Sequence, residues 1–294
     1  MIKNIVLSGG FYHGFTELGA FCQLAQQGYF NMDNIETIYG TSAGGMIAAM
    51  MTLKLPFKDI LDYVINRPWH KIININLVGA FQTKGFISRS LFEEMFDNIL
   101  RACGLSTNTT MQELYVYSNI ELHLFTIELR NFNLVDISYK TFPDLLLVDA
   151  VHMTSAVPYM IEPCLYEDKY YIDGGLICNY PLIPCLLNGC MPEETLGIKL
   201  ARNIPLINSE SNIFEYAYCL HAVMGHQIEL HYAALNDVDK NTISLLADIH
   251  ELVIEIGPTS VDGGYKAFMT KESREMLINK GKEYANDFLS KTNI

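Results

Sequence analysis

Residues 35–53 read IETIYGTSAGGMIAAMMTL, and this stretch decides the fold. Ile35 to Tyr39 is a short apolar run, Gly40 to Gly45 a turn, and Met46 to Leu53 a second apolar run closed by Pro56. The pattern predicts strand, tight turn and helix. The same order precedes it. Residues 3–8, KNIVLS, form an apolar strand ended by Gly9 and Gly10, and Phe15, Leu18, Ala20, Phe21 and Leu24 then recur at helical spacing over residues 14–27. Two consecutive strand-turn-helix units predict an α/β protein with three layers, α/β/α, around a mainly parallel central sheet.

The turn matches Gly-x-Ser-x-Gly through Gly40, Thr41, Ser42, Ala43 and Gly44. A serine on a sharp strand-to-helix turn sits in strained backbone, so the residues two positions to either side must lack a Cβ for the chains to pass. The helix that follows aims its first amides at the same point, where they favour developing negative charge. Ser42 is therefore the candidate nucleophile. The string alone also arises by chance in turns; its position between strand and helix gives it meaning. The earlier turn, Ser8-Gly9-Gly10-Phe11-Tyr12-His13-Gly14, has the same placement. Three readings of it stand: an oxyanion hole beside Ser42, a dinucleotide-phosphate loop, or a tight turn without chemistry. Its glycine spacing lacks the middle glycine of the dinucleotide pattern.

A serine hydroxyl needs a base within hydrogen-bond reach, most often histidine. His221, His226 and His231 lie five residues apart on one helical segment, which turns each about 140° from the last. They do not converge as metal ligands, and each reads as a polar-edge or core histidine. Asp173 is the stronger candidate. Tyr170-Tyr171-Ile172-Asp173-Gly174-Gly175 sets a carboxylate at the C-terminal end of a strand, where open α/β sheets hold their sites, and Gly174 and Gly175 let the chain turn away. A carboxylate is a weak base in water, so direct deprotonation of Ser42 demands that Asp173 be desolvated. A second Asp-Gly-Gly, at Asp262, reads as an ordinary polar turn before the last helix.

Residues 57–115 lack the strand-helix alternation and are expected to be a mainly helical insertion, covering an apolar pocket, within a single domain of residues 1–294. Strands are expected at Glu121 to Leu129 and Leu134 to Tyr139, joined as a hairpin around Asn131 to Asn133. A helix near Pro143, another from Pro181, a strand at Leu196 to Leu200, an amphipathic segment at Ile213 to Leu235, a strand at Leu252 to Ile256 and a final helix at Lys271 to Leu289 follow.

Half of the 294 residues are apolar and 18% are charged, enough for a large core. No run nears the roughly 18 apolar residues of a bilayer span, and Ile5 to Leu7 is too short for a secretory signal, so neither a transmembrane segment nor a signal peptide is expected. The net charge of −13 disfavours nucleic acid and offers no long-range attraction to an anionic membrane. Seven cysteines, odd in number and without a CxxC pair, fit buried thiols in a reducing compartment. An intracellular location, cytoplasmic or peripheral to membranes, is the expectation.

Together the motifs resemble the patatin-like phospholipases, which pair a Gly-x-Ser-x-Gly serine with an Asp-Gly-Gly or Asp-Gly-Ala aspartate and use no histidine. The likeness covers most of residues 3–200. It includes LSGGFYHGFTELGAF at residues 7–21, Gly85-Phe86-Ile87-Ser88-Arg89, Thr154-Ser155-Ala156-Val157-Pro158 and Asn179-Tyr180-Pro181. The resemblance implies Ser42 as nucleophile, Asp173 as base, and an oxyanion hole from the amides of Gly9, Gly10, Phe11, His13 and Gly14. It also implies a lipid or acyl-ester substrate, transient contact with a membrane surface, and no cofactor or metal. The implied reaction is of the phospholipase A or lysophospholipase type, through an acyl-enzyme on Ser42. The family usually reads Gly-Gly-Gly-x-Arg-Gly where this chain has Phe11 and His13. A phenylalanine at positive φ costs on the order of 1 kcal/mol or more, and His13 replaces a fixed charge only when protonated. A catalytically inactive lipid-binding or interaction module of the same fold is thus the alternative.

Overall fold

The first two apolar runs fold as strand-turn-helix units in a computed structural model. It describes all residues except 74–77, 202–203, 205–206, 236–247, 258–259 and 293–294, and only the backbone of 214, 229–235 and 261. Strand β1 (Asn4–Leu7) passes through one 3-10 turn, Phe11–His13, into helix α1 (Gly14–Gln26). Strand β2 (Thr37–Thr41) passes through Ser42 into α2 (Ala43–Thr52). The second helix starts at Ala43 rather than Met46, because Ser42 alone makes the turn.

Residues 57–115 form α3 (Phe57–Asn66), α4 (Trp69–Ile72), α5 (Ala80–Thr83), a short strand β3 (Gly85–Ile87), α6 (Ser90–Ala102) and α7 (Met111–Ser118). Next come β4 (Glu121–Glu128) and β5 (Asn133–Ile137), an antiparallel hairpin as its turn residues predict. Helix α8 (Leu147–Ser155) starts later than expected from Pro143, because Leu146 is still extended and bridges Thr110. Three short strands follow, β6 (Tyr159–Ile161), β7 (Cys164–Tyr166) and β8 (Lys169–Asp173), and then α9 (Leu182–Leu187), β9 (Thr195–Ala201) and α10 (Ile213–Leu235). The described chain closes with β10 (His250–Glu255), α11 (Val261–Met269) and α12 (Lys271–Lys291). The second Asp-Gly-Gly is not a loop turn. Asp262 stands in the first turn of α11, where a carboxylate suits the helix dipole, and pairs with Lys266 at 2.6 Å.

The main sheet has the order β10-β9-β1-β2-β4-β8-β7, with β5 also on β4. Five neighbours, β10, β9, β1, β2 and β4, are parallel, whereas β8 runs antiparallel to β4. One face carries the larger core, which includes Ile5, Leu7, Phe21, Ile47 and Val151; the other carries a smaller one of Val6, Tyr39, Phe125, Tyr180, Leu182 and Cys185. Helices on both faces make the three-layer α/β/α architecture. Among the described residues no helix is long and apolar enough to cross a membrane.

The ladders on β4 settle where β2 and β8 meet. A strand has two edges, and β2 and β5 both pair with Leu124 and Phe125, so they occupy opposite edges. β5 and β8 both pair with Thr126 to Glu128, so they too are on opposite edges. β8 therefore takes over the edge that β2 leaves. β2 ends at Thr41 opposite Phe125, and β8 ends at Asp173 opposite Thr126. The two strands point at each other head to head.

Candidate active site

Ser42 has φ +55° and ψ −123°, a conformation that L-residues avoid. Such strain costs of order 1–3 kcal/mol and persists only where the surroundings enforce it. They do so here. A Cβ on Gly40 would lie 2.7 Å from the Gly44 carbonyl oxygen, and one on Gly44 would lie 2.6 Å from those of Leu7 and Ser8. The pattern's two glycines are thus required by backbone packed on backbone. The Ser42 amide donates to Thr154 Oγ1 at 3.0 Å, and the Thr154 hydroxyl donates onward to the Phe125 carbonyl at 2.5 Å. The Ser155 hydroxyl reaches the Ser42 carbonyl at 3.5 Å. Ser42 is 8% exposed, and the first turn of α2, whose amides lack intrahelical acceptors, begins at the next residue.

Asp173 is only 2% exposed. Its Oδ1 accepts the Gly175 amide at 2.7 Å, and its own amide donates to the Ala156 carbonyl at 3.0 Å. Residues 154–156 therefore hold both partners, Ser42 through Thr154 and Ser155 and Asp173 through Ala156. Asn179 is a second tie. Its backbone carbonyl accepts the Gly9 amide at 2.8 Å, and its Nδ2 donates to the Gly9 carbonyl at 3.0 Å. A Cβ on Gly9 would lie 3.1 Å from Ser42 Cβ, and one on Gly175 would lie 2.8 Å from Asn179 Oδ1 and 2.9 Å from Asp173 Oδ1. The glycine turn, the serine and the aspartate thus pack around one asparagine.

Phe11 does take positive φ, at +52°. Its ring packs 5.5 Å from Tyr12, 6.3 Å from Tyr218 and 5.8 Å from Phe268, contacts that offset the backbone strain. His13 is buried against Tyr12, and burial, assisted by the charge of Lys280, pushes its pKa down to about 4. It is neutral at physiological pH and supplies no positive charge in place of an arginine. Three of the six amides of residues 9–14 are engaged: Gly9 with Asn179, His13 with the Gly10 carbonyl, and Gly14 with the Phe11 and Tyr12 carbonyls. Of the five amides expected to form an oxyanion hole, those of Gly10 and Phe11 are the two without an acceptor among the described residues, so they are the ones open to a ligand.

These groups share one cleft, lined by Gly9, Gly10, Phe11, Ser42, Asp173, Gly175 and Asn179, with apolar walls from Val157, Met160, Leu200 and Ile256. Tyr218, His221 and Ala222 of α10 complete it. Two sequence expectations are corrected. No described residue of 57–115 lines this cleft, and α10 supplies the cover expected from that segment. His221, read as a polar-edge or core histidine, instead faces the cleft beside Ser42 and Asp173; the spacing of three histidines on a helix says nothing of which one turns inward. His226 does not line the cleft, and the side chain of His231 lies outside the described residues. Among the described residues no group of three or more His, Cys, Asp or Glu side chains is arranged to hold a metal ion.

A family model described as patatin-like phospholipase matches residues 5–186. Two viral proteins are similar in sequence. An uncharacterized protein of Acanthamoeba polyphaga mimivirus is 28% identical over 207 residues, covering 69% of this chain and 66% of that protein. A probable lipid hydrolase of Invertebrate iridescent virus 6 is 24% identical over 186 residues, covering 61% of this chain and 62% of that protein. The chain thus matches just under two thirds of the length of these relatives. Among solved structures, VipD from Legionella pneumophila superimposes with a TM-score of 0.56 at 17% identity, over 99% of this chain and 67% of that one. The type III effector protein ExoU gives 0.50 at 13% identity, over 99% and 53%. At these identities the structural likeness concerns the fold.

Proposed function

The chain belongs to the patatin-like phospholipase family, and from that premise we propose that it is a lipid acyl hydrolase with Ser42 as nucleophile and Asp173 as general base. The observation that carries this reading is the head-to-head approach of β2 and β8 along one edge of β4, with residues 154–156 bonded to both Ser42 and Asp173. The burial of Asp173 supplies the desolvation that direct proton transfer demands.

Asp173 takes the Ser42 proton as the oxygen attacks the ester carbonyl. The Gly10 and Phe11 amides, with the N-terminus of α2, face the tetrahedral oxyanion. The lysolipid or alcohol leaves, protonated by Asp173, and water then hydrolyses the acyl-enzyme with Asp173 again as base. The reaction is of the phospholipase A or lysophospholipase type. The apolar walls of the cleft support a fatty acyl chain, and α10 supports access from a lipid aggregate. While its inner face lines the cleft, Ile213, Tyr216, Leu220, Val223 and Met224 are exposed on it, and the helix carries no lysine or arginine. Such a helix engages zwitterionic or neutral lipid through apolar contact.

Hydrolysis of a short-chain nitrophenyl ester and of mixed phospholipids, with products identified by mass spectrometry, tests the assignment. Ser42→Ala and Asp173→Asn each reduce turnover by at least about 10³-fold with the fold retained, whereas His221→Gln keeps the reaction. Loss of activity in His221→Gln with survival in Asp173→Asn would make the histidine the base.

A further inference from the structure

Two cysteines at the end of α9 form a pair whose surroundings differ from those of the buried thiols elsewhere in the chain. After Leu187 the helix stops, Gly189 turns the chain with φ +90°, and the Cys190 amide donates back to the Cys185 carbonyl at 3.3 Å. This helix-ending bond folds the second cysteine over the first. Cys185 sits in a buried cluster against which Cys190 packs, and Cys190 Sγ lies 3.8 Å from Thr37 Oγ1 and 3.7 Å from the Tyr39 hydroxyl. The His123 ring stacks on Tyr39 at 4.2 Å, with Asp136 at 2.9 Å and Glu121 at 3.3 Å from its nitrogens. Burial alone would discharge His123; its hydrogen bonds to the two carboxylates reverse this and raise its pKa to about 9. The Cys185 thiol beside Cys190, opposed by burial and aided by Tyr39, Thr37 and the His123 charge, holds Cys190 below the usual thiol range. Cys185 is raised, while Cys22 and Cys164, buried without such donors, are pushed up to about 12. Cys190 is half-buried and reachable; Cys185 is fully buried behind it.

We propose that Cys190 and Cys185 are an oxidation site, at which a hydroperoxide converts the two thiols into an intramolecular disulfide. The Cys190 thiolate attacks the terminal peroxide oxygen, the O–O bond breaks, and the departing oxygen takes a proton to leave as an alcohol or water. Cys190 is then a sulfenic acid, oxidised by two electrons. Cys185 loses its proton and attacks the Cys190 sulfur, the S–O bond breaks, and hydroxide leaves as water. Two thiols and one hydroperoxide give one disulfide, one alcohol or water, and one further water.

The test uses the whole chain, limiting iodoacetamide near neutral pH, and separately hydrogen peroxide followed by alkylation and peptide mapping. Cys190 is expected to alkylate at least about tenfold faster than Cys103, the other half-buried thiol. Peroxide should remove the mass of two hydrogens and link Cys185 to Cys190 within the tryptic peptide 170–199. In Cys185→Ser, circular dichroism confirms the fold and dimedone traps sulfenic acid at Cys190. The proposal is overturned if Cys190 alkylates no faster than Cys103, or if peroxide forms no link between these two residues. Neither readout involves ester hydrolysis, so the result stands apart from the fate of the Ser42 assignment.

Discussion

Ser42 keeps its strained backbone because Thr154 accepts its amide and Gly40 and Gly44 let the strand and helix pass. Replacing Thr154 with valine preserves shape but leaves a buried amide without an acceptor, which costs about 1–3 kcal/mol. Thr154→Val is expected to lower the unfolding midpoint and to reduce turnover about 10- to 100-fold, mainly in kcat; Thr154→Ser should restore most of both. Full activity in the valine variant, measured with a nitrophenyl ester, would mean that Thr154 does not position Ser42 for the proposed reaction. The placing of Ser42 and Asp173 at strand ends was legible in the sequence because each carries a local backbone signature, glycines at fixed offsets beside a strand. Thr154 was visible only through family likeness. Its partner is 112 residues away, and no local pattern encodes such a contact. The inward turn of His221 was hidden for the same reason: it depends on how α10 lies over the sheet.

Apart from β3, β6, β7 and α11, strand and helix order was readable from hydrophobic periodicity, including the full span of α10. The antiparallel course of β8 was not, since alternation of side chains is the same in either direction. Yet that direction is what aims Asp173 at Ser42. The packing of α12 on α1 is likewise a property of the assembled elements. A Cβ on Gly281 would overlap the Thr16 carbonyl oxygen, and one on Gly19 the Ile278 carbonyl oxygen, so the two helices touch backbone to backbone. Gly281→Ala is expected to destabilise by about 1–3 kcal/mol, read as a fall in unfolding midpoint, although the residue is far from Ser42 in sequence. An unchanged midpoint would mean that the helices separate without penalty. For α10, Leu220→Ser with Met224→Ser should raise the apparent KM on phosphatidylcholine vesicles at least about fivefold and leave a soluble ester little affected. Equal effects on both substrates would argue that the outer stripe does not meet lipid.

Across the whole molecule two buried histidines give stability opposite pH dependences. His13 titrates at about 4 in the fold against 6.5 when free, so the unfolded chain binds more protons between those values. Its contribution is complete above 6.5 and is lost as pH falls towards 4. His123 is raised to about 9, so its contribution is complete below 6.5 and is lost as pH rises through 9. Urea midpoints measured across this range should show His13→Gln flattening the acid limb and His123→Gln the alkaline limb; parallel curves for wild type and variants would contradict both assignments. Folding as a unit also assembles the proposed site, since Ser42 follows β2 and Asp173 ends β8, and these two strands, far apart in the sequence, meet on β4. Covalent labelling with a fluorophosphonate, followed by peptide mapping, probes that meeting most directly. One label on Ser42 in the wild type, at least about 100-fold slower labelling in Asp173→Asn and none in Ser42→Ala are predicted; labelling of Asp173→Asn at the wild-type rate, or of a different residue, would contradict the pairing.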